Sequence, residues 1–452
     1  MAEEQCVRNS GHQELSPMQR CATHCLHLFV WIAVVAYAMV HFATSEVNTS
    51  LPEKLSHVVG GTLTKSSYYG VTRYWDLTDR EWREGRLFLV TAWPWLLLHS
   101  VIGRALAHLV PSLVPGYHVI YSLAFMSLKF GWHSAILFVL EHGVFFALSW
   151  IGVPALCYVV AMAMVTHYDV FKLDFFEMEK PKPSLTVREL VMLVAGLLRS
   201  GAHFLLMDLL CHYFYSAALT KAPYLVSELD NASLLGYGAI LNIMFYSKYL
   251  IQYGVSGGCA RIEGHNLPAP PKCVTRGHLC SHFWRYFDHG LHLWIKKYVY
   301  LPIVGTERKV HMRLLAIAVA FTFVWIWHSM TTAVTFWASL STIGVAVEVA
   351  MAHIKRLDCA KSFEAKYLNP ERRRIVKAIL GSPHYLLTIS ACMFYLVDME
   401  ITTLFLRRVI LGFPMPLVPV LVSLYFGAYA SQDIMESEAA SAAPKVTEPL
   451  VV

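Results

Sequence analysis

Charge is what this sequence has least of. Asp, Glu, Lys and Arg make up 15% of its 452 residues, where soluble domains carry about 25%. Apolar residues reach 56%, so the chain has too little charge to cover the surface of a water-soluble fold of this size. Zinc spacings and the paired-cysteine framework of a small secreted domain are absent as well. The ten cysteines are scattered, and Cys157, Cys211 and Cys392 fall inside apolar runs, as small packing residues do. Residues 1–27 lack a basic stretch leading into a short apolar core and a cleavage site. No removable signal peptide is expected there, and the run 28–44 reads as a retained signal anchor. Internal repeats and lipidation boxes are missing too. The stretch 433–452, rich in Ala, Ser, Pro and Glu, reads as a disordered tail.

What is present comes in apolar blocks: 28–44, 87–109, 151–166, 185–213, 234–254, 314–328, 333–353, 375–399 and 409–429. Each approaches or exceeds the ~17–25 residues with which a helix crosses about 30 Å of hydrocarbon. The run 117–148 is interrupted by Lys129, Gly131 and His133 and reads as one span plus a re-entrant or tilted helix. The expected fold is therefore all-α, a polytopic transmembrane helical bundle of about nine to eleven elements with re-entrant segments, by the length criterion. A cytosolic segment 1–27, a multi-pass domain 28–432 and the tail complete it. Glu177–Pro183, with two prolines and alternating charge, reads as a solvated interhelical loop. Asn48-Thr49-Ser50 and Asn231-Ala232-Ser233 fit the glycosylation sequon, a weak signal by itself.

The net charge of +6 is concentrated. Between 272 and 313 lie Lys272, Arg276, Arg285, Lys296, Lys297, Arg308, Lys309 and Arg313 against two acids. A second basic excess lies between 355 and 377. The positive-inside rule makes both loops cytosolic, and the apolar runs between them a hairpin whose turn is luminal. Because the basic residues flank membrane helices without interleaved exposed aromatics, nucleic acid is not an expected partner; anionic headgroups and the phosphates of a soluble acyl carrier are.

Two residues stand out as carriers of chemistry. Asp288, in Trp284-Arg285-Tyr286-Phe287-Asp288-His289-Gly290, is an ionisable group beside hydrophobic segments, where such groups are functional by default. An ion pair with Arg285 that only anchors an interfacial helix is the alternative. His328 ends a nearly wholly apolar run through Trp325-Ile326-Trp327. Desolvation there favours neutral imidazole, the form a general base needs; the alternative is an interfacial histidine bonded to a backbone carbonyl. His99, His133, His142, His203, Asp208, His212, Lys248 and Glu348 read as helix-to-helix hydrogen-bonding groups.

The run from His282 to Pro302, with Leu267-Pro268-Ala269-Pro270-Pro271-Lys272-Cys273 before it and Trp327-His328 after it, resembles the membrane-bound O-acyltransferase superfamily, and within it the hedgehog acyltransferase branch. The similarity is strong over about 197–357 and weaker over 76–110 and 412–425. The resemblance implies His328 as catalytic histidine, Asp288 as the second essential polar residue, and Trp284, Arg285 and Lys297 on the acyl-CoA side. It also implies that Cys273 ligates a haem b, for which a thiolate is a competent axial ligand. The activity implied is transfer of palmitate from palmitoyl-CoA to the N-terminal cysteine of a secreted hedgehog-type protein, in the endoplasmic reticulum membrane and among its lipids. A non-catalytic hedgehog-acyltransferase-like membrane regulator, or an acyltransferase for another lipid or protein acceptor, is the rival reading.

The chain departs from the family pattern in three places. Ser329 and Met330 follow the histidine where glycine is usual, and Gly305 stands alone where a glycine pair is common. The stretch 162–185 holds no counterpart of an additional helix and a Gly-Pro re-entrant segment.

The charge pattern yields a direct test of orientation. Cysteines introduced in 272–313 and in 355–377 should react with an impermeant reagent from the cytosolic side of intact microsomes. Reaction only after the lumen is opened would overturn the orientation.

Overall fold

The computed structural model describes residues 16–151 (save 56, 68, 69 and 71), positions 156 and 160, and 186–442 save 266. The apolar run 151–166, the linker at 177–183 and the departure at 162–185 therefore lie almost wholly outside the described residues.

Helix α1 (Pro17–Thr44) begins on a capping box: Ser16 accepts from the Gln19 amide while the Gln19 side chain accepts from that of Ser16. It starts inside the expected cytosolic segment rather than at 28. After α2 (Glu46–Leu55), strands β1 (Leu63–Ser66) and β2 (Arg73–Asp76) pair antiparallel with Leu63 opposite Asp76. Asp79 then caps α3 (Arg80–Leu109). The expected break in 117–148 falls at Gly131, whose φ of +88° ends α4 (Val114–Phe130) before α5 (Trp132–Ile151).

A second capping box, Thr186 with Glu189, opens α6 (Val187–Tyr213), and Asp230 caps α7 (Asn231–Ile262). Two short helices, α8 (Cys280–Phe287) and α9 (His289–Ile295), carry the polar segment. They lead through a wide turn at Lys296–Tyr300 to the hairpin α10 (Val310–Trp327) and α11 (Thr332–Ile354). The amphipathic α12 (Asp358–Tyr367) joins it to α13 (Pro370–Leu396), α14 (Met399–Ile410) and α15 (Leu417–Ala442).

Eight helices among the described residues, α1, α3, α6, α7, α10, α11, α13 and α15, are long and apolar enough to cross a membrane, and Trp132–Leu148 is a shorter apolar helix. The chain is a multi-pass membrane protein. Two sequence expectations change. The run 409–429 is not one element: it breaks between Ile410 and Leu417, where Pro414 and Pro416 lack the amide protons a continuous helix requires. The stretch 433–442, expected in the tail, is the last part of α15.

Helix α7 is the packing axis, set against α1 and α6, while α13 lies between α11 and α15, and α15 returns to α1. Close approach of α7 to α1 depends on Gly236, where a Cβ would stand 1.9 Å from the Ala38 carbonyl oxygen. Two ionisable groups within this bundle, Asp208 and Lys248, are paired, as hydrocarbon requires. The Arg86 Nε donates to both oxygens of buried Asp208 at 2.9 Å, and Lys248 donates to Asp79 at 2.6 Å and Glu81 at 2.9 Å. Asn48 is fully buried; its amide donates to the carbonyls of Ala43 and Tyr213 and its oxygen accepts from the Tyr215 amide, so that sequon is closed to a glycan.

Candidate functional site

Helix α8 is only eight residues long and strongly two-faced, and its N-cap position, Leu279, offers no side-chain acceptor. The cap comes from another helix. Glu348 of α11 accepts the Ser281 amide at 3.0 Å and the Ser281 hydroxyl on its other oxygen. His384 of α13 holds the same carboxylate at 2.8 Å. A carboxylate at the positive end of a helix fills open amide donors and opposes the helix dipole. One half-buried anion thereby fastens α8 to α11 and α13.

At its other end α8 breaks on Asp288 (φ −124°, ψ 88°), which caps α9: its Oδ1 accepts the Leu291 amide at 2.9 Å. The Tyr253 hydroxyl of α7 donates to Oδ2 at 2.9 Å. The alternative of an Asp288–Arg285 ion pair is not what forms. Among the described residues no ion pair joins them, and Arg285 points out, exposed. Trp284 points inward, its ring 4.8 Å from Phe321 and 5.0 Å from Trp337. Lys297 lies exposed on the wide turn, 4.8 Å from the Tyr298 ring.

His328 closes α10, and the turn that follows holds Ser329 and Met330 at φ +65° and +53°. These are left-handed conformations that glycine adopts freely and side-chain-bearing residues resist by roughly 1–2 kcal/mol each. Thr331 then caps α11. The turn sets the imidazole edge-on to Trp337 at 5.1 Å and to Tyr395 at 5.3 Å.

The same rings reach Asp288. Phe287 stacks on Phe245 at 4.9 Å, and Phe245 meets Tyr395 at 5.6 Å, while Trp337 meets both Trp284 and Tyr395. His328 and Asp288 thus flank one aromatic cluster from two sides. Among the described residues no hydrogen bond joins them directly. This arrangement can position an apolar chain against aromatic faces, with an imidazole on one side and a fixed carboxylate on the other.

Cys273 is half-buried and starts the turn Val274–Arg276. It lies within electrostatic reach of Tyr246 and Tyr385. Its loop is tied to α8 by the Lys272 amide, which donates to the Tyr286 carbonyl at 3.1 Å. Among the described residues no group of three or more His, Cys, Asp or Glu side chains could hold a metal ion. The Cys273 sulfur is the iron ligand that the start of this turn offers.

Burial in this segment acts on its histidines as well. Desolvation, followed by the charges of Lys272 and Arg276, lowers His282 to about 4, and desolvation with Arg285 lowers His292 to about 4. Both are neutral at physiological pH.

Four members of the site, Tyr253, Trp337, Tyr395 and His384, were not singled out from the sequence. Tyr253 had a faint signal, since Tyr246, Tyr249 and Tyr253 recur at helical spacing on one face of α7.

The sequence profile of the membrane-bound O-acyltransferase family matches residues 154–391. The chain is similar to the protein-cysteine N-palmitoyltransferase HHAT of Mus musculus, with 29% identity covering 58% of this chain and 52% of that protein. It is similar to the protein-cysteine N-palmitoyltransferase Rasp of Drosophila melanogaster, 28% identical over 42% of this chain and 36% of that protein. It is also similar to the HHAT-like protein of Mus musculus, 29% identical over 52% and 46% respectively. The chain spans about half the length of the first of these curated relatives, and less of the others.

The cap at Asp288 predicts how its variants rank. Asp288→Ala should lower thermal stability in detergent by about 1 kcal/mol, the usual worth of an N-cap side chain. Asp288→Asn keeps an acceptor for the Leu291 amide and should stay close to the parent. Equal stability of the Ala variant would show that the cap contributes nothing.

Proposed function

We propose that this chain, which belongs to the membrane-bound O-acyltransferase family, transfers palmitate from palmitoyl-CoA to the N-terminal cysteine of a hedgehog-type secreted protein, in the endoplasmic reticulum membrane. The observation that carries the reading is the pair of His328 and Asp288 on one aromatic cluster. Its support from outside the chain is the likeness to the protein-cysteine N-palmitoyltransferases of mouse and fly.

In this reaction the acceptor amine attacks the thioester carbonyl, an N–C bond forms and the C–S bond breaks. His328 takes the amine proton and passes it to the departing CoA sulfur. General-base help of this kind is typically worth ~10²–10⁴-fold. Trp337 and Tyr395, in contact with each other, meet the imidazole edge-on and limit its orientation. Asp288 acts by position: held by Tyr253 and by the first turn of α9, it fixes the α8–α9 corner against α7. Trp284 lines the apolar side, while the exposed Arg285 and Lys297 would take the CoA phosphates. Palmitate gains roughly 0.8 kcal/mol per methylene on leaving water, which binds the donor before the thioester is engaged.

Cys273 would hold a haem b through its thiolate, a chemistry the half-buried thiol permits. The group would supply a structural or redox-sensitive anchor for the 272–276 loop, and no step of acyl transfer passes through it. The rival reading is a non-catalytic membrane regulator of the same family.

The purified chain should transfer an alkyne-tagged palmitate to a Cys-initiated hedgehog peptide. His328→Ala should lose about 10²–10⁴-fold in rate while still binding palmitoyl-CoA. A wild-type chain that neither transfers nor binds the donor would remove the enzyme reading and leave the regulator.

Haem is read separately, from a Soret band that Cys273→Ala should abolish or shift. A folded wild-type protein without that band would leave Cys273 an ordinary loop thiol.

A further inference from the structure

Helix α12 (Asp358–Tyr367) is ten residues long and has no buried residue. It joins two membrane spans, α11 ending at Ile354 and α13 beginning at Pro370. Only residues 355–357 lead into it and 368–369 lead out. A connection that short reaches roughly 14 Å when fully extended, so α12 is held close to the membrane surface.

Its faces differ. Ala360 and Glu364 form a half-buried edge, and Glu364 pairs with Arg373 of α13 at 3.7 Å. At about 100° per residue, Cys359, Phe363 and Tyr367 form a second stripe, its middle about 80° round from that edge. All three are exposed, Phe363 by 57% and Tyr367 by 50%, and the two rings lie 5.0 Å apart. A helix resting on a bilayer beside a bundle meets protein on one side and lipid a quarter turn away. The ring stripe occupies that second position. The far side carries Asp358 and Lys361, exposed and paired with each other at 2.9 Å.

Charge says what kind of surface fits. The stretch 355–377 holds eight cations and three acids. Asp433 and Glu436 of α15 both reach Arg374, and counting them too (8 − 3 − 2) leaves an excess of three positive charges. Lys355, Arg356, Lys366, Arg372 and Lys377 are exposed, and among the described residues none of them has an ion pair. Lys355 and Arg356 precede the ring pair and Lys366 lies 5.2 Å from the Tyr367 ring, so cations bracket the apolar stripe. A soluble phosphate would serve the cations and leave the rings in water. A leaflet of anionic lipid serves both, since basic clusters beside membrane helices are drawn to its surface potential and exposed rings to its acyl chains.

We infer that α12 is an interfacial helix that binds an anionic leaflet, with Phe363 and Tyr367 among the acyl chains and Lys355, Arg356 and Lys366 on lipid phosphates. The leaflet is the cytosolic one by the positive-inside rule. Through its three-residue connection the contact sets the depth of α11, which carries Glu348 and Trp337. It needs neither acyl transfer nor haem, so it stands or falls independently of the proposed activity.

The whole chain is reconstituted in phosphatidylcholine vesicles containing lipid whose acyl chains are brominated to quench tryptophan. The reporter is Phe363→Trp, read as the difference from the parent. It should be quenched at several-fold lower mole fraction by brominated phosphatidylserine than by brominated phosphatidylcholine. Ala365→Trp, about 160° round the helix, should escape both lipids. Replacing Lys355, Arg356 and Lys366 together by Gln should keep the quenching by choline lipid and remove the serine preference, which added salt should also weaken. Lys309→Gln, in the other basic loop, should change nothing. Equal quenching at the two reporters, equal quenching by the two lipids, or a serine preference that survives the triple Gln variant would overturn the interfacial helix. So would loss of that preference on adding free coenzyme A at constant ionic strength, which would assign the cations to a soluble phosphate.

Discussion

The Glu348 carboxylate holds together the part of the molecule where chemistry is expected. An anion inside a helix bundle is costly unless its lone pairs are filled, and here a backbone amide, a hydroxyl and an imidazole from two other helices fill them. Because it caps α8, the direction of that helix is set by α11 and α13 rather than by its own sequence. The inward face of Trp284, the outward face of Arg285 and the break at Asp288 follow from that direction. The hairpin that carries Glu348 also carries His328, so both sides of the aromatic cluster are referred to one element.

Much of the architecture could be read before any coordinates, for a simple physical reason. Hydrocarbon demands long uninterrupted apolar helices with internally satisfied backbones, and runs such as 333–353 or 234–254 leave no other option. Asp288 and His328 were visible because a charge or an imidazole in such surroundings is conspicuous, and because the segment around them resembles a family. The division of 409–429 was equally legible, since Pro414 and Pro416 stand in its middle. Apolar content alone hid it.

The partners were not legible. Nothing local says that Tyr253 meets Asp288, or that Ser281, Glu348 and His384 converge, because those contacts join residues 35 to 67 positions apart and depend on how the helices cross. The sequence left open an Asp288–Arg285 pair, three positions apart in one short polar run. The helix ends on Asp288 and turns Arg285 outward, which defeats that spacing. Asn48 is a similar case: a three-residue pattern marked it as a surface acceptor, while its neighbours in space made it a buried bridge between α2 and the end of α6.

The cap on α8 also has a bearing on how the protein is made. Ser281 leaves the ribosome 67 residues before Glu348, and His384 follows a further 36 residues later. During that interval the first turn of α8 has open amides and no carboxylate to meet them. The short polar helices must wait at the membrane surface, where water can serve the same groups, until α11 and α13 have been inserted. Docking of α8 is therefore a late event of synthesis, and the aromatic cluster closes only after nearly all of the chain is in the bilayer.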